Sequence, residues 1–216
     1  MLLWNVSADS TPSFLRRNVA RNSCGSSTVS ESQVSAVLIR IRAALAAAGV
    51  PYMLTGSFAS SLHGTPRVTH DIDVVIAPVL GTLKVLLKQF PEDQYYVSED
   101  AALRAYGEEG MFNIVDFATG WKIDFIMRKS RPFSTEEFDR RREEELDGVT
   151  IFVASAEDIV VAKLEWAKLS ESDRQLRDAA GILSSRTNEL DLDYVERWAK
   201  ELDLIPQWQR VRELFS

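Results

Sequence analysis

Thr69-His70-Asp71-Ile72-Asp73-Val74-Val75-Ile76 is the stretch on which the reading of this chain turns. A polar lead-in runs into β-branched residues, and the pattern predicts a strand over 71–76. Side chains alternate faces along a strand, so Asp71 and Asp73 point to one side while Ile72 and Val74 point to the other. Two carboxylates therefore converge. Upstream, Gly56-Ser57 follows an apolar run over 50–55 and precedes a brief helical segment over 58–63 that Gly64 and Pro66 end. A glycine turn between a strand and a helix can aim backbone N–H groups and the Ser57 hydroxyl at a phosphate, helped by the positive end of the helix dipole. Downstream, Trp121-Lys122-Ile123-Asp124-Phe125-Ile126-Met127 is a second apolar run holding one acid. A carboxylate in a strand of this buried type is costly unless something compensates it. A divalent cation shared by Asp71, Asp73 and Asp124 would do so.

The rest of the chain is compatible with a folded, water-soluble molecule. Its 216 residues suffice for one domain with elaborations or two small ones, and 45% hydrophobic with 26% charged residues is ordinary for a globular protein. The net charge of -7 and pI near 5.0 give no general attraction to phosphate backbones or anionic membranes. A nucleic-acid partner would have to meet a local basic patch, for which Arg140-Arg141-Arg142 is the candidate. The single cysteine, Cys24, excludes an intramolecular disulfide and a cysteine zinc site, and suits a reducing cytosol. No apolar run approaches the ~20 residues a membrane-spanning helix needs. Residues 1–30 carry Arg16, Arg17 and Arg21 against one acid and lack the apolar core of a secretory signal. They are read as a flexible tail, although their composition is also that of an organelle transit peptide.

Helical spacing of Val34, Val37, Leu38, Ile41, Ala44, Leu45 and Ala48 predicts a helix over 31–48 that stops at Gly49. Further helices are expected over 79–90 and 100–108, and strands over 95–97, 112–117 and 122–127, the last two joined as a hairpin at Ala118-Thr119-Gly120. The charged stretch 136–146 reads as a solvated helical face, and 150–153 as an edge strand. After Ser155, an N-cap, helices follow over 156–168, 172–184 and 192–202 and from 206 onward. The expectation is thus an α/β (α+β) fold, a small mixed sheet of four or five strands flanked by helices. It divides into a tail over 1–30, an α/β domain over 31–153 and a helical C-terminal region over 154–216.

The order Leu54-Thr55-Gly56-Ser57, a spacer of thirteen residues, Asp71-Ile72-Asp73 and a later Ile123-Asp124-Phe125 resembles the nucleotidyltransferase superfamily, which includes DNA polymerase beta, kanamycin nucleotidyltransferase and the minimal nucleotidyltransferases. Ser155-Ala156-Glu157-Asp158-Ile159-Val160-Val161-Ala162-Lys163-Leu164, with Arg174 and Arg177-Asp178, is similar to the lysine- and arginine-aspartate-bearing helices of the AbiEii-type branch, known from toxin-antitoxin and phage-abortive systems. The resemblance implies transfer of a nucleoside monophosphate from an NTP, ATP among them, to a hydroxyl of an RNA, a protein or a small molecule. It implies Mg²⁺, or Mn²⁺ in its place, held by Asp71, Asp73 and Asp124, because hard divalent cations take carboxylate oxygens. By the same resemblance Gly56, Ser57 and Lys163 bind the nucleotide, Asp178 orients Lys163 or the acceptor, and a cognate antitoxin is a partner; Arg67, in the loop before the acid strand, is read from its position as a further nucleotide-binding residue at the phosphates. The branch often has a second acid three residues after this aspartate, where the present chain has Gly181.

Plainer roles compete for several of these residues. Lys163 is also readable as a snorkelling surface lysine, Asp178 as a helix acid paired to Arg174 or Arg177, and Arg67 as a loop arginine. His63 and His70 lack metal-ligand spacing and are read as structural. Among the five tryptophans only Trp166, three residues after Lys163, is placed to approach a nucleobase, and it too is read as a packing residue. Two other functions stay open on sequence: a catalytically weak nucleotide-binding or antitoxin-type module, and a DxD glycosyltransferase using a sugar nucleotide.

Overall fold

The computed structural model describes residues 27–64, 71–146, 148–186 and 189–215, with side chains from residue 34 onward. Arg67, His70, Cys24 and residues 1–26 of the tail lie outside the described residues. Helix α1 (Ser27–Ala48) opens the fold, starting before the expected residue 31, and Gly49 ends it with φ +63°. Then come β1 (Tyr52–Thr55), α2 (Gly56–His63), β2 (Asp71–Ile76), α3 (Leu80–Leu87), β3 (Tyr95–Tyr96), α4 (Glu99–Glu108), β4 (Met111–Asp116) and β5 (Lys122–Met127). The chain continues through α5 (Pro132–Asp139), β6 (Arg142–Leu146) and β7 (Val149–Val153). It ends in four helices, α6 (Ala156–Ser170), α7 (Asp173–Ser185), α8 (Leu192–Glu201) and α9 (Ile205–Phe215).

The strands form one mixed sheet in the order β3-β4-β5-β2-β1-β7-β6. Pairing is parallel between β2 and β5 and between β1 and β7, and antiparallel elsewhere. The sheet has seven strands rather than four or five, and the difference lies in residues 142–153. The charged stretch is not all helix: Pro132 starts α5 early, and Arg142–Leu146 pairs antiparallel with Val149–Val153 as the rim strand. Its acids line the rim, where charge discourages pairing with another chain. Residues 150–153 are accordingly interior, between β1 and β6.

One sheet face carries Leu54, Ile72, Val74, Ile123, Phe125, Phe112 and Ile114, all buried. It packs against α1 and α3: Phe90, just beyond α3, meets Phe125 at 6.0 Å, and Arg40 of α1 pairs with Asp116. Each such fully buried aliphatic or aromatic side chain contributes roughly 1.5–3 kcal/mol. The opposite face carries Asp71, Asp73, Lys122 and Asp124, as the two-residue period requires. Helices α6–α9 form a bundle, and α6 and α7 close over that polar face beside α2.

Ser155 caps α6 as expected, its hydroxyl accepting from the Asp158 N–H at 3.2 Å. The fully buried Asp158 carboxylate takes the Ser155 hydroxyl at 2.6 Å, the Tyr194 hydroxyl from α8 and the Arg140 guanidinium at 3.2 Å. Arg140 also stacks on Tyr194, 3.9 Å from the ring centre, and Arg141 stacks on Phe138. Two of the three arginines expected to offer a basic patch are therefore committed to packing.

Candidate active site

The geometry begins at Gly56. Its φ of +68° belongs to the left-handed region, and a Cβ there would stand 1.9 Å from the Asp73 Oδ2 and 2.4 Å from its Cγ. Only glycine lets the turn close on the acid. The next backbone N–H, that of Ser57, donates to the Asp73 carboxylate, so the turn faces a carboxylate in this state as well as the open space in front of it.

Across the sheet, Asp73 is the register partner of Thr55 on β1 and of Asp124 on β5. Neighbouring strands lie about 4.8 Å apart, so two acids share one face at adjacent positions. Burial, then the Asp124 charge, then to a smaller degree Asp71, push the Asp73 carboxyl up; the Ser57 N–H and the Lys163 ammonium act against them. Asp124 is itself buried. Its Oδ2 accepts from the Lys122 ammonium at 2.7 Å, while its Oδ1 is buried without a hydrogen-bond partner. That bond in turn lifts the Lys122 ammonium above its ordinary value.

Helix α6 supplies the opposite wall. Ile159, Ala162, Lys163 and Trp166 fall at i, i+3, i+4 and i+7, one stripe of the helix, and all four face the same cavity. Lys163 is only 3% exposed and donates to the Asp178 Oδ2 of α7 at 3.0 Å. A buried ammonium needs such a partner. Arg174 and Gln175 of α7, one turn before Asp178, also border the cavity, whose volume is ≈ 280 Å³.

Of the residues singled out in the sequence, Gly56, Ser57, Asp71, Asp73, Asp124 and Lys163 meet at this cavity. Asp178 stands behind Lys163 rather than pairing with Arg174 or Arg177, and Arg67 lies outside the described residues. His63 is structural, as read: it is buried and its Nε2 lies 3.0 Å from the Ala154 carbonyl. Trp166, read as a packing residue, is instead 51% exposed on the cavity wall. Lys122, Met111, Ile126 and Gln175 were not singled out. Period-two spacing puts Lys122 on the face of Asp124, and helical spacing puts Trp166 with Lys163, so both were within reach of pattern reading.

Among the described residues no three His, Cys, Asp or Glu side chains form a ready-made cluster around an ion. The physical cause is visible in the acids themselves. Asp73 and Asp124 are like charges side by side, one drawn to Ser57 and the other to Lys122. A divalent cation fits this set. The donors are hard oxygens, the Asp124 Oδ1 has no partner, and the mutual repulsion that raises Asp73 would become attraction to a shared positive charge.

No curated protein matches the chain in sequence. Among solved structures, the crystal structure of ANT(2'')-Ia in complex with adenylyl-2''-tobramycin is similar at TM-score 0.54 and 15% identity, covering 86% of this chain and 99% of that one. The solution structure of the antibiotic-resistance factor ANT(2'')-Ia gives 0.52 and 14%, covering 85% and 99%. An antigenic nucleotidyltransferase-like protein from Paracoccidioides brasiliensis gives 0.48 and 17%, covering 83% and 92%. The two ANT(2'')-Ia likenesses show a shared fold. A family model described as "nucleotidyltransferase of unknown function" (DUF6036) matches residues 38–214, spanning sheet and helical bundle alike, and the chain belongs to that nucleotidyltransferase family.

Proposed function

We propose that the protein transfers a nucleoside monophosphate from an NTP to a hydroxyl acceptor with release of pyrophosphate. The observation that carries the reading is the adjacent placement of Asp73 and Asp124 on parallel strands, with the Gly56–Ser57 turn against one side of Asp73 and Lys163 across the cavity. Asp71, Asp73 and Asp124 would hold Mg²⁺, or Mn²⁺ in its place, which when bound neutralises the triphosphate and acidifies the attacking hydroxyl.

The remaining work falls to the chain's own groups. Lys163 offers a point charge to the phosphates, and its bond to Asp178 holds it in the cavity. The absence of a Cβ at Gly56 lets Asp73 seat against the turn, and the start of α2 beside it offers its N–H end to phosphate oxygens. Asp124 would accept the acceptor's proton as the new bond to the α-phosphorus forms and the bond to the pyrophosphate oxygen breaks. Arg67 belongs to the same proposal as a phosphate contact. The acceptor is an RNA, a protein or a small molecule, the last being an arm suggested by the adenylyl-2''-tobramycin bound to ANT(2'')-Ia. The AbiEii-type resemblance adds a cognate antitoxin, a role in toxin-antitoxin or defence systems, and a cytosolic setting. No helix among the described residues is long and apolar enough to cross a membrane.

The test is incubation of the protein with each α-labelled NTP, Mg²⁺ and either cell extract or purified hydroxyl compounds. Labelled acceptor with pyrophosphate is expected from the native protein. Asp73→Asn should lose at least 100-fold in rate while its melting temperature holds or rises, since a repelled buried charge is removed. Nucleotide binding without turnover would leave a binding module, and label transferred only from sugar nucleotides would leave a glycosyltransferase. Either result overturns the proposal.

A further inference from the structure

The cavity has two halves of different chemistry. Gly56, Ser57, Asp71, Asp73, Asp124 and Lys163 supply the polar part of its lining, whereas Ile126, two residues beyond Asp124 on β5, its register partner Met111 of β4, and Trp166 of α6 supply the apolar part. Trp166 is 51% exposed and Met111 46%, although the other described tryptophans, Trp121, Trp198 and Trp208, are all at most 4% exposed. Large apolar side chains left open inside a cleft, rather than scattered over the surface, mark a place where a ligand covers them.

We infer that Trp166 is the stacking platform for the nucleobase of the NTP, with Met111 and Ile126 as the facing wall. The inference rests on the nucleotidyl-transfer reading and deepens it. A cavity of ≈ 280 Å³ that opens to solvent is near the lower end of the sizes that take a small-molecule ligand. The phosphates belong beside Lys163 and the cation that the acids would hold, so the flat, weakly solvated base falls against the apolar residues. Trp166 follows Lys163 by three residues, about 4.5 Å along the helix axis, so one rigid element spaces the phosphate contact from the base contact. Because every base has a π-face, the platform sets affinity for a nucleotide and leaves the choice among bases to other contacts.

The experiment compares binding of ATP and of ribose 5-triphosphate, which has the same phosphates and no base, to the native protein, Trp166→Ala and Trp166→Phe, by calorimetry with Mg²⁺. Trp166 is half exposed, so both variants should melt within about 2 °C of the native protein. Trp166→Ala should weaken ATP about 10-fold and leave ribose 5-triphosphate unchanged, while Trp166→Phe keeps most of the ATP affinity. Equal losses for both ligands, or no loss for ATP, overturns the inference while leaving nucleotidyl transfer intact; the second result would make the apolar half an acceptor wall. If the folded native protein binds neither ribose 5-triphosphate nor any of the four NTPs, the nucleotidyl-transfer reading falls and the platform with it.

Discussion

Gly56 is the residue at which backbone conformation and chemistry meet. Alanine there would have to hold a positive φ and put its methyl 1.9 Å from the Asp73 Oδ2, so the acid must give up its seat against the turn. Gly56→Ala should therefore cost about 1–3 kcal/mol in chemical denaturation and abolish transfer, the second effect outrunning the first. A neutral effect on activity would show that Asp73 need not sit against the turn. Lys122 makes the opposite argument. Its ammonium holds the Asp124 Oδ2 and also feels Asp71 and Asp73, so in this state it serves the acids as an internal counter-charge. Lys122→Met leaves a buried carboxylate without that partner, which should lower metal-free stability by about 1–3 kcal/mol. Added Mg²⁺ should then raise the melting temperature of Lys122→Met more than that of the native protein. Equal shifts would mean that lysine and metal do not compete for Asp124.

At the level of elements, legibility followed the strength of local pattern. Strands over 71–76 and 122–127 were readable to the residue because each is a short apolar run with turn residues at its ends, and the acids inside them inherit their faces from the two-residue period. The three acids among the six sequence-chosen cavity residues met for that reason. Residues 142–146 were not readable from their charges, since a block of arginines followed by a block of glutamates also satisfies helical i,i+3 and i,i+4 spacing. The missed signal was the Asp-Gly dipeptide at 147–148, of a kind that favours two-residue hairpins, ahead of the strand-forming run 149–153; Leu146 and Val149 pair in the sheet. Tertiary pairing outweighed local charge pattern. Helix α6 shows what local chemistry does secure: the Ser155 hydroxyl both caps the helix and donates to the buried Asp158 carboxylate. Ser155→Ala should destabilise the protein by about 1–2 kcal/mol, measured by denaturant titration, with the transfer rate near native because Ser155 does not border the cavity. A large loss of rate at full stability would give Ser155 a part in the chemistry.

Across the whole molecule, one continuous apolar core runs from Val37 in α1 to Val211 in α9, so sheet and bundle are joined through buried groups, and two of these titrate in opposite senses. Burial, with Asp158 and Glu165 of α6 nearby and Arg131 and Lys129 opposing, pushes the Glu137 carboxyl up to about 8. Between pH 4.5 and 8 the unfolded chain has lost this proton while the folded one keeps it, so stability falls as pH rises through that window. Burial and the charges of Arg186, at the C-cap of α7, and Arg142 on β6 pull His63 down to about 4, against the Ala154 carbonyl and Glu157. Between pH 4 and 6.5 the unfolded chain binds the extra proton, so this group makes stability rise with pH. Each swing is on the order of 3–5 kcal/mol, and where the windows overlap they offset one another. The native protein should therefore show a shallow profile from pH 4.5 to 6.5 and a decline from there to 8. Glu137→Gln should remove the decline and expose the His63 rise below pH 6.5; His63→Gln should remove the rise and let the fall begin near pH 4.5. Urea titrations across pH 4–8 on the three proteins measure this directly. Parallel profiles would mean that neither group is held in its buried form at the seam between sheet and bundle.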